Sequence, residues 1–548
     1  MQTSNSSEPT RQACGSEVGF RLGQRVTSAG DTRRIGTVKY VGPVEGYSGS
    51  WIGVDWDNDG EGKHDGSHNG VKYFEARGAK TASFVRPQNL SSGITLLQAL
   101  EVRYRSTSTK EEEDEMYVLS ARNNRVSIQL LGKDKIQEKL SRFEELTSAS
   151  LSYLGVSSPG PSGLVSKTIP NLKELDLTGN LLSNWKDLGI ICKELPALEA
   201  LNLSYNLMEH DIKGIPQLNS LRILVLNHTG INWKQVEVLK DTLPCIEELH
   251  MIGNNIKEIT PASSTKVKGF DFLRLLNLEE NSIADWNEII KLSHLRSLEQ
   301  LLLNKNNLNQ IWYPDCDTYE AANGDESHGK CLKPFENLQC LLLGANNIED
   351  LASIDSLNSF PNLMELRLSE NPATDPGRGG APRFVLIARL AKVKILNGSE
   401  VSARERKESE IRYVRLVLSK SDGNLEEIMR LHPRFAELKA FHGIEDVKPQ
   451  TGAVGPQKMA SGLITITLKC VGASIGEKPP MTKKLPSTTT VGKLKNLCES
   501  FFKLKSVKPK LFLQEEGSPL PTLLDDDMAS LVDAGVGNES TILVDEEY

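Results

Sequence analysis

The sequence predicts a multidomain chain in which an α/β solenoid is preceded by a small β domain and followed by an α+β domain. Three observations predict it. A pattern of the form Leu-x-x-Leu-x-Leu-x-x-Asn recurs between Leu172 and Asn371, glycine-punctuated runs of β-branched residues fill 20–93, and strand and helix patterns alternate through 460–548. At 548 residues the chain is too long for one ordinary core.

The repeated pattern first reads Leu172-Lys173-Glu174-Leu175-Asp176-Leu177-Thr178-Gly179-Asn180, and its closing position recurs at Asn206, Thr229, Asn254, Asn281, Asn306, Asn346 and Asn371. Most steps are 23 to 27 residues, the leucine-rich-repeat period. A unit this short cannot bury its own apolar face, so the units must stack into a solenoid with a continuous core. The fourth and sixth positions of each copy, such as Leu175 and Leu177, point inward, while the third and fifth point outward onto the concave strand surface. Asparagines at the ninth position are expected to satisfy the turning backbone as a ladder, broken once by Thr229. Trp185, Trp233 and Trp286, which follow the ladder position by four or five residues, read as core filler.

Outward positions are polar in the first copy (Glu174, Asp176) and the last (Glu365, Arg367), but the middle copies place Ile223, Val225, Leu275, Leu302 and Leu342 there. Solvated apolar area is unfavourable unless something covers it, so these five are candidate client-surface residues. Cover from within the molecule, by long side chains or a nearby insertion, is the alternative. That insertion stretches the interval from Asn306 to Asn346 to 40 residues and is expected to emerge as a loop. Its Cys316, His328 and Cys331 lack the number and spacing of a zinc site.

Residues 1–19 read as a disordered tail, and 20–93 as a glycine-rich β domain built on Arg25-Val26-Thr27, Ile35-Gly36-Thr37-Val38 and Trp51-Ile52-Gly53-Val54-Asp55-Trp56. Within it, Gly62-Lys63-His64-Asp65-Gly66 is followed by Tyr73-Phe74, and closely spaced glycines there permit a tight, exposed turn beside an aromatic floor. This stretch resembles the CAP-Gly family, whose signature is Gly-Lys-Asn-Asp-Gly followed by a segment ending in Tyr-Phe, and which binds acidic C-terminal tails ending in Glu-Glu-Tyr. The resemblance implies a tail-binding site in which Lys63, Asp65 and Gly66 carry the signature, Trp51 and Phe74 line the aromatic cavity, and Phe84 and Arg86 belong to the closing strand. His64 stands where the signature has Asn, and imidazole lacks the amide's combined donor and acceptor.

Residues 94–150 read as an acidic linker leading into the solenoid, with Glu111-Glu112-Glu113-Asp114-Glu115 as a solvated charge run and a strand over Val126–Leu131. The solenoid is assigned to 151–410, ending in a cap around Asn397-Gly398-Ser399-Glu400-Val401-Ser402, and 411–459 to a helical connector and linker. In 460–548, a strand at Leu463–Leu468, a helix at Thr490–Phe502 with Val491, Leu494 and Leu497 on one face, and strands at Lys510–Gln514 and Thr541–Val544 resemble the ubiquitin fold. The chain closes on Glu546, Glu547 and Tyr548 without the Gly-Gly end of a conjugated modifier. That end resembles the tails CAP-Gly modules recognise, which implies that it engages another such module or competes within its own chain; an ordinary solvated acidic end is the alternative.

A net charge of −8 without a dense basic tract, a polar N-terminus without a signal segment, and no long apolar run point to protein partners in the cytoplasm and away from nucleic acid and membranes. Eight cysteines without a CxxC pair suit reduced thiols, and neither metal nor cofactor is expected. No phosphate-binding loop, His-Glu-x-x-His or nucleophile motif is present, so a non-enzyme is expected. The module order resembles the tubulin-folding cofactors. It implies a chaperone of the cytoplasm and cytoskeleton that captures α-tubulin by its acidic tail and its body and takes part in assembly and dissociation of the α/β heterodimer. The implied partners are α-tubulin, cofactor B, cofactors C and D, and the proteasome through the ubiquitin-like domain. Two other readings stand beside it: a microtubule-associated adaptor, and a ubiquitin-like shuttle that delivers clients to the proteasome.

Overall fold

The computed structural model describes residues 19–105, 117–119, 125–127, 139–212, 214–261, 266–314, 333–420, 425–444, 463–471, 478–486, 488–502, 504, 509–514, 521–524, 527, 531 and 534–546. The acidic run at 111–115, the insertion's Cys316, His328 and Cys331, and the terminal Glu547 and Tyr548 lie outside the described residues. Contacts divide the chain into two compact units, Met1–Asp446 and Val447–Tyr548.

The first unit begins with an antiparallel sheet. Its strands are β1 (Arg25–Ser28), β2 (Asp31–Pro43), β3 (Ser50–Trp56), β6 (Ala82–Val85) and β7 (Leu90–Ser91), in the order β6-β3-β2-β1-β7, and the short hairpin β4 (Ser67–His68) and β5 (Val71–Lys72) lies beside it. The β-branched residues that predicted this sheet supply its core of Val26, Val38, Ile52, Val54, Trp56 and Leu90. Two residues after β7 the chain enters β8 (Ile94–Thr95) and α1 (Leu96–Tyr104), which opens with a Thr95/Gln98 capping box. Leu96, Ala99 and Leu100 of α1 are buried in the solenoid core, so the expected linker begins instead with the solenoid's own end cap.

The solenoid forms an eleven-stranded sheet. Nine three-residue strands, from Ser148–Ser150 through Glu365–Arg367, pair in parallel and in register; Ile395–Leu396 continues them and Ser399–Glu400 turns back. The middle residue of each strand, Leu175 or Leu276 for example, is buried, and so is the residue two places on, a leucine in every strand except for Met251. One repeat precedes the first copy of the pattern: Leu146, Ala149 and Leu151 occupy its inward positions, with Ala149 replacing a leucine and Leu154 standing where Asn is expected.

The ladder works as a relay between neighbouring repeats. Asn306 donates from Nδ2 to the carbonyls of Leu278 (2.9 Å) and Leu303 (3.1 Å) and accepts the Ile283 N–H at Oδ1 (3.1 Å). Thr229 can donate only once, to the Leu226 carbonyl at 2.9 Å, and its own carbonyl takes the Met208 N–H instead. Asn254 accepts both the Thr229 and Gly230 N–H groups at 2.9 Å, as Asn281 accepts those of Asn254 and Ile256 in the next rung. Trp185, Trp233 and Trp286 each open an outer helix capped by Asn184, Asn232 or Asp285, and all three indoles are buried.

Beyond the last repeat, the helix Ala403–Lys420 runs straight through the expected boundary at 410. With Leu425–Leu431 and Phe435–Phe441 it packs on the helix Arg383–Arg389 around Val385, Tyr413, Val414, Ile428, Phe435 and Leu438. The buried Arg389 pairs with Asp355 at 3.4 Å and donates to the Leu431 carbonyl, which ties these helices to the last repeat. The described part of the segment expected to be a connector, 411–420 and 425–444, is therefore a packed terminal cap.

In the second unit the strands Leu463–Cys470, Met481–Pro486, Pro509–Gln514, Thr522–Leu524 and Ser540–Glu546 are ordered second-first-last-third-fourth, with the helix Val491–Phe502 after the first hairpin. This is the ubiquitin fold. Val491, Leu494, Cys498 and Phe502 face its core, and Leu497 is only half-buried. The Glu546 backbone pairs with Pro509, so the first residue of the expected tail motif belongs to the last strand.

Replacing Asn306 with Ala leaves the Ile283 N–H without its acceptor in the core, takes one of two asparagine donors from each of the Leu278 and Leu303 carbonyls, and is expected to cost about 2 kcal/mol. Thr229→Ala removes one donor and should cost less than half as much. Urea unfolding followed by the fluorescence of the buried tryptophans measures both.

Candidate functional site

The site is built on β3 and β6, against which the glycine loop folds back. Gly62 N–H donates to the Lys80 carbonyl (2.8 Å), Lys63 N–H to the Ala82 carbonyl (2.6 Å), and Ala82 N–H to the His64 carbonyl (2.9 Å). The approach is too close for any side chain at Gly62, where a Cβ would lie 2.2 Å from the Thr81 backbone. Gly66 has φ +96° and would place a Cβ 2.1 Å from the Phe74 carbonyl oxygen. Lys63 stands exposed at the loop's edge. The Asp65 carboxylate accepts the Ser67 N–H at 3.1 Å, and this bonding to Ser67 holds its pKa below the usual range.

His64 turns inward. Its ring stacks on Phe84 with centroids 4.8 Å apart, and Nδ1 accepts the Gly66 N–H at 3.0 Å. Accepting at Nδ1 places the proton of the neutral ring on Nε2. Partial burial depresses the His64 pKa below its ordinary value, His68 and Lys63 add to the depression, and Asp65 opposes it. The departure from the CAP-Gly signature thus removes an amide and supplies an acceptor that closes the loop on itself.

Phe84 is the centre of the floor. Tyr73 (5.2 Å), Phe74 (5.7 Å), Tyr40 (6.1 Å) and His68 (6.4 Å) meet it edge-on. Gly53 makes this possible, since a Cβ there would lie 2.3 Å from the Phe74 ring. At the other end the Arg86 guanidinium lies 3.8 Å above the Trp51 ring and donates to the Ser50 carbonyl. Exposed Tyr47 links the two ends, 5.7 Å from Trp51 and 5.3 Å from His68. Among the described residues, Trp51 Nε1 and His68 Nε2 are buried without a hydrogen-bond partner.

All eight residues singled out in this domain therefore lie on one loop and one aromatic surface. Sequence reasoning missed Tyr40, Tyr47, Tyr73 and His68. Tyr73 was adjacent to the signature's Phe74, and Tyr47 lay between Gly46 and Gly49, but Tyr40 reaches the floor only because the β2–β3 register slips between Val38 and Tyr40.

On the solenoid, Ile223, Val225, Leu275, Leu302 and Leu342 sit half-buried on the outward strand surface. Register breaks the expected stripe. Leu302 lies directly beside Leu342, but Ile223 and Leu275 both neighbour Glu248, and Val225 has Asn202 and His250 on its two sides. Glu248 and His250 approach to 3.4 Å and divide the apolar surface into two patches.

Fold and site together define a CAP-Gly protein carried on a leucine-rich-repeat solenoid with a ubiquitin-like end. The CAP-Gly domain family model matches residues 22–90. The chain is 64% identical to tubulin-folding cofactor E of Arabidopsis thaliana over 98% of its own length and 100% of that protein. It is 32% identical to tubulin-specific chaperone E of Danio rerio over 89% of its length and 92% of that protein. The solved C-terminal ubiquitin-like domain of mouse tubulin-specific chaperone E matches at 25% identity, covering 17% of this chain and 96% of that one with a TM-score of 0.15. The chain belongs to the tubulin-folding cofactor E family.

Two outcomes follow from the loop. Gly66→Ala should destabilise the chain by about 1–3 kcal/mol, because a Cβ strains both the left-handed turn and the close approach to the Phe74 carbonyl; urea unfolding measures it. Because the His64 pKa is depressed on folding, its contribution to stability is complete above the unfolded value of 6.5 and is lost as pH falls from there through the folded value. Acidification from about pH 7.5 to about 5.5 should therefore lower the melting temperature less in His64→Asn than in the unaltered chain, with the ring titrating below its ordinary value by NMR.

Proposed function

We propose that the chain is a tubulin-folding chaperone that grips α-tubulin at two places, its acidic C-terminal tail and its folded body, and takes part in assembling and dissociating the α/β heterodimer. The observation that carries this reading is the exposed Lys63 beside the Phe84 floor, in a chain whose relatives are named tubulin-folding cofactors and tubulin-specific chaperones. Lys63 supplies the charge for the tail's carboxylates, and the aromatic surface between Phe84 and Trp51 receives its terminal ring. The two apolar patches around Val225 and Leu302 are the surface for the tubulin body.

A tail held by one loop is a modest contact, and taking a heterodimer apart requires binding the separated subunit better than the assembled one. Linking a tail contact to a body contact supplies that difference through effective concentration. The ubiquitin-like domain adds contacts with cofactors B, C or D or with the proteasome, and the working location is the cytoplasm and cytoskeleton.

Incubation with purified tubulin heterodimer should deplete it. Sedimentation with intact polymer and no loss of dimer would favour an adaptor, and proteasome binding without tubulin remodelling a shuttle. Lys63→Ala should weaken tail-peptide binding about tenfold, the loss of one charge-assisted contact. Val225→Glu with Leu302→Glu should leave peptide binding unchanged and weaken heterodimer binding; equal heterodimer affinity in the folded variant would reject the body surface.

A further inference from the structure

The way the CAP-Gly sheet joins the solenoid leaves no slack. β7 pairs with β1, Thr27 opposite Ser91 and Ser28 opposite Leu90, and only Ser92 and Gly93 separate it from β8. β8 already belongs to the solenoid: it pairs in parallel with Val156–Ser158, and the Ile94 N–H donates to the Gly155 carbonyl at 2.8 Å. Thr95 then caps α1, whose apolar face is buried in the solenoid core.

Gly93 is pressed into this corner. Its φ is +90°, its N–H donates to Ser91 Oγ at 3.2 Å, and a Cβ would lie 2.5 Å from the Gly155 carbonyl oxygen and 2.7 Å from the Ser157 side chain. A second tie stands apart from the covalent one. Arg33, near the start of β2, places its guanidinium 5.7 Å from the ring centroid of Tyr153. Tyr153 is itself held at φ +57°, with its ring lying where any side chain on Gly179 of the next repeat would have to go. Two separated ties across one junction restrain rotation as well as translation.

We propose that Gly93 and Tyr153 are positioning residues that hold the tail groove at a fixed span from the outward strand face, so that a client's tail and body are bound as one ligand. This role rests on the tail-and-body reading given above. A rigid span sets the effective concentration of the second contact, and flexible insertion lowers it without touching either binding surface.

The test uses the full chain with Gly-Ser-Gly-Ser inserted between Ser92 and Gly93, and separately the length-preserving double variant Arg33→Ala, Tyr153→Ala, which keeps the test alive if the insertion disturbs folding. In the unaltered chain the Ile94 amide should be protected from hydrogen exchange. In both variants the Kd for a peptide ending in Glu-Glu-Tyr should stay within about twofold, while the Kd for tubulin heterodimer should weaken, by at least about tenfold for the insertion. Unchanged heterodimer affinity with intact peptide binding would overturn the proposal, as would an Ile94 amide that exchanges like an open loop. A peptide that does not bind the unaltered chain would overturn the tail reading and this role with it, and the peptide titration tells the two failures apart.

Discussion

A repeat whose strand is three residues long can satisfy neither its apolar side chains nor its turning backbone by itself, and the rest of the first unit follows from that constraint. Leucines above and below each strand complete the apolar layer. The carbonyls exposed by the turn are met by the asparagine of the next repeat, so that the Leu278 carbonyl receives one donor from Asn281 and another from Asn306. Buried polar groups left without partners would each cost on the order of 1–3 kcal/mol, enough for a few broken rungs to exceed the whole stability of an ordinary domain. Thr229 is tolerated because its carbonyl takes the Met208 N–H and the Leu203 carbonyl keeps its donor from Asn206.

A stack of this kind has two open ends, and each is closed by a different device. At the N-terminal end α1 and the degenerate repeat at Leu146–Leu154 cover the first leucines, and because α1 starts four residues after β7 ends, closing the core also fixes the CAP-Gly sheet in place. At the other end the helices from Arg383 to Phe441 form a small core of their own, and Arg389 and Arg434 donate into backbone carbonyls across the joint. Burying such charged groups is favourable only with their bonds made, so the joint has one register.

The CAP-Gly loop shows how local chemistry is spent on shape. Gly53, Gly62 and Gly66 are each met by backbone or ring atoms at distances that no Cβ could tolerate, and together they let the loop lie on the Phe84 floor. His64 then serves the loop from within by stacking and accepting one bond, which leaves the exposed charge to Lys63. On the solenoid the outward apolar residues are placed by a period of two along each strand, but which of them touch is set between strands, and Glu248 and His250 intervene.

Periodicity and motif are local properties, so the chain alone determined the repeat, its inward leucines and asparagine ladder, the signature loop, and the order of the three modules. Each of these depends on residues a few positions apart. What the tertiary structure decided are matters of register and long-range closure: Tyr40 brought to the floor by a slip between strands, Leu302 placed against Leu342 across an insertion, and a supposed connector folded back as a cap. The repeat at Leu146–Leu154 belongs with these, since Ala149 and Leu154 erase its pattern and only the neighbouring strand restores it. Such pairings depend on which surfaces meet when apolar area is buried, and that choice is made between segments far apart in the chain.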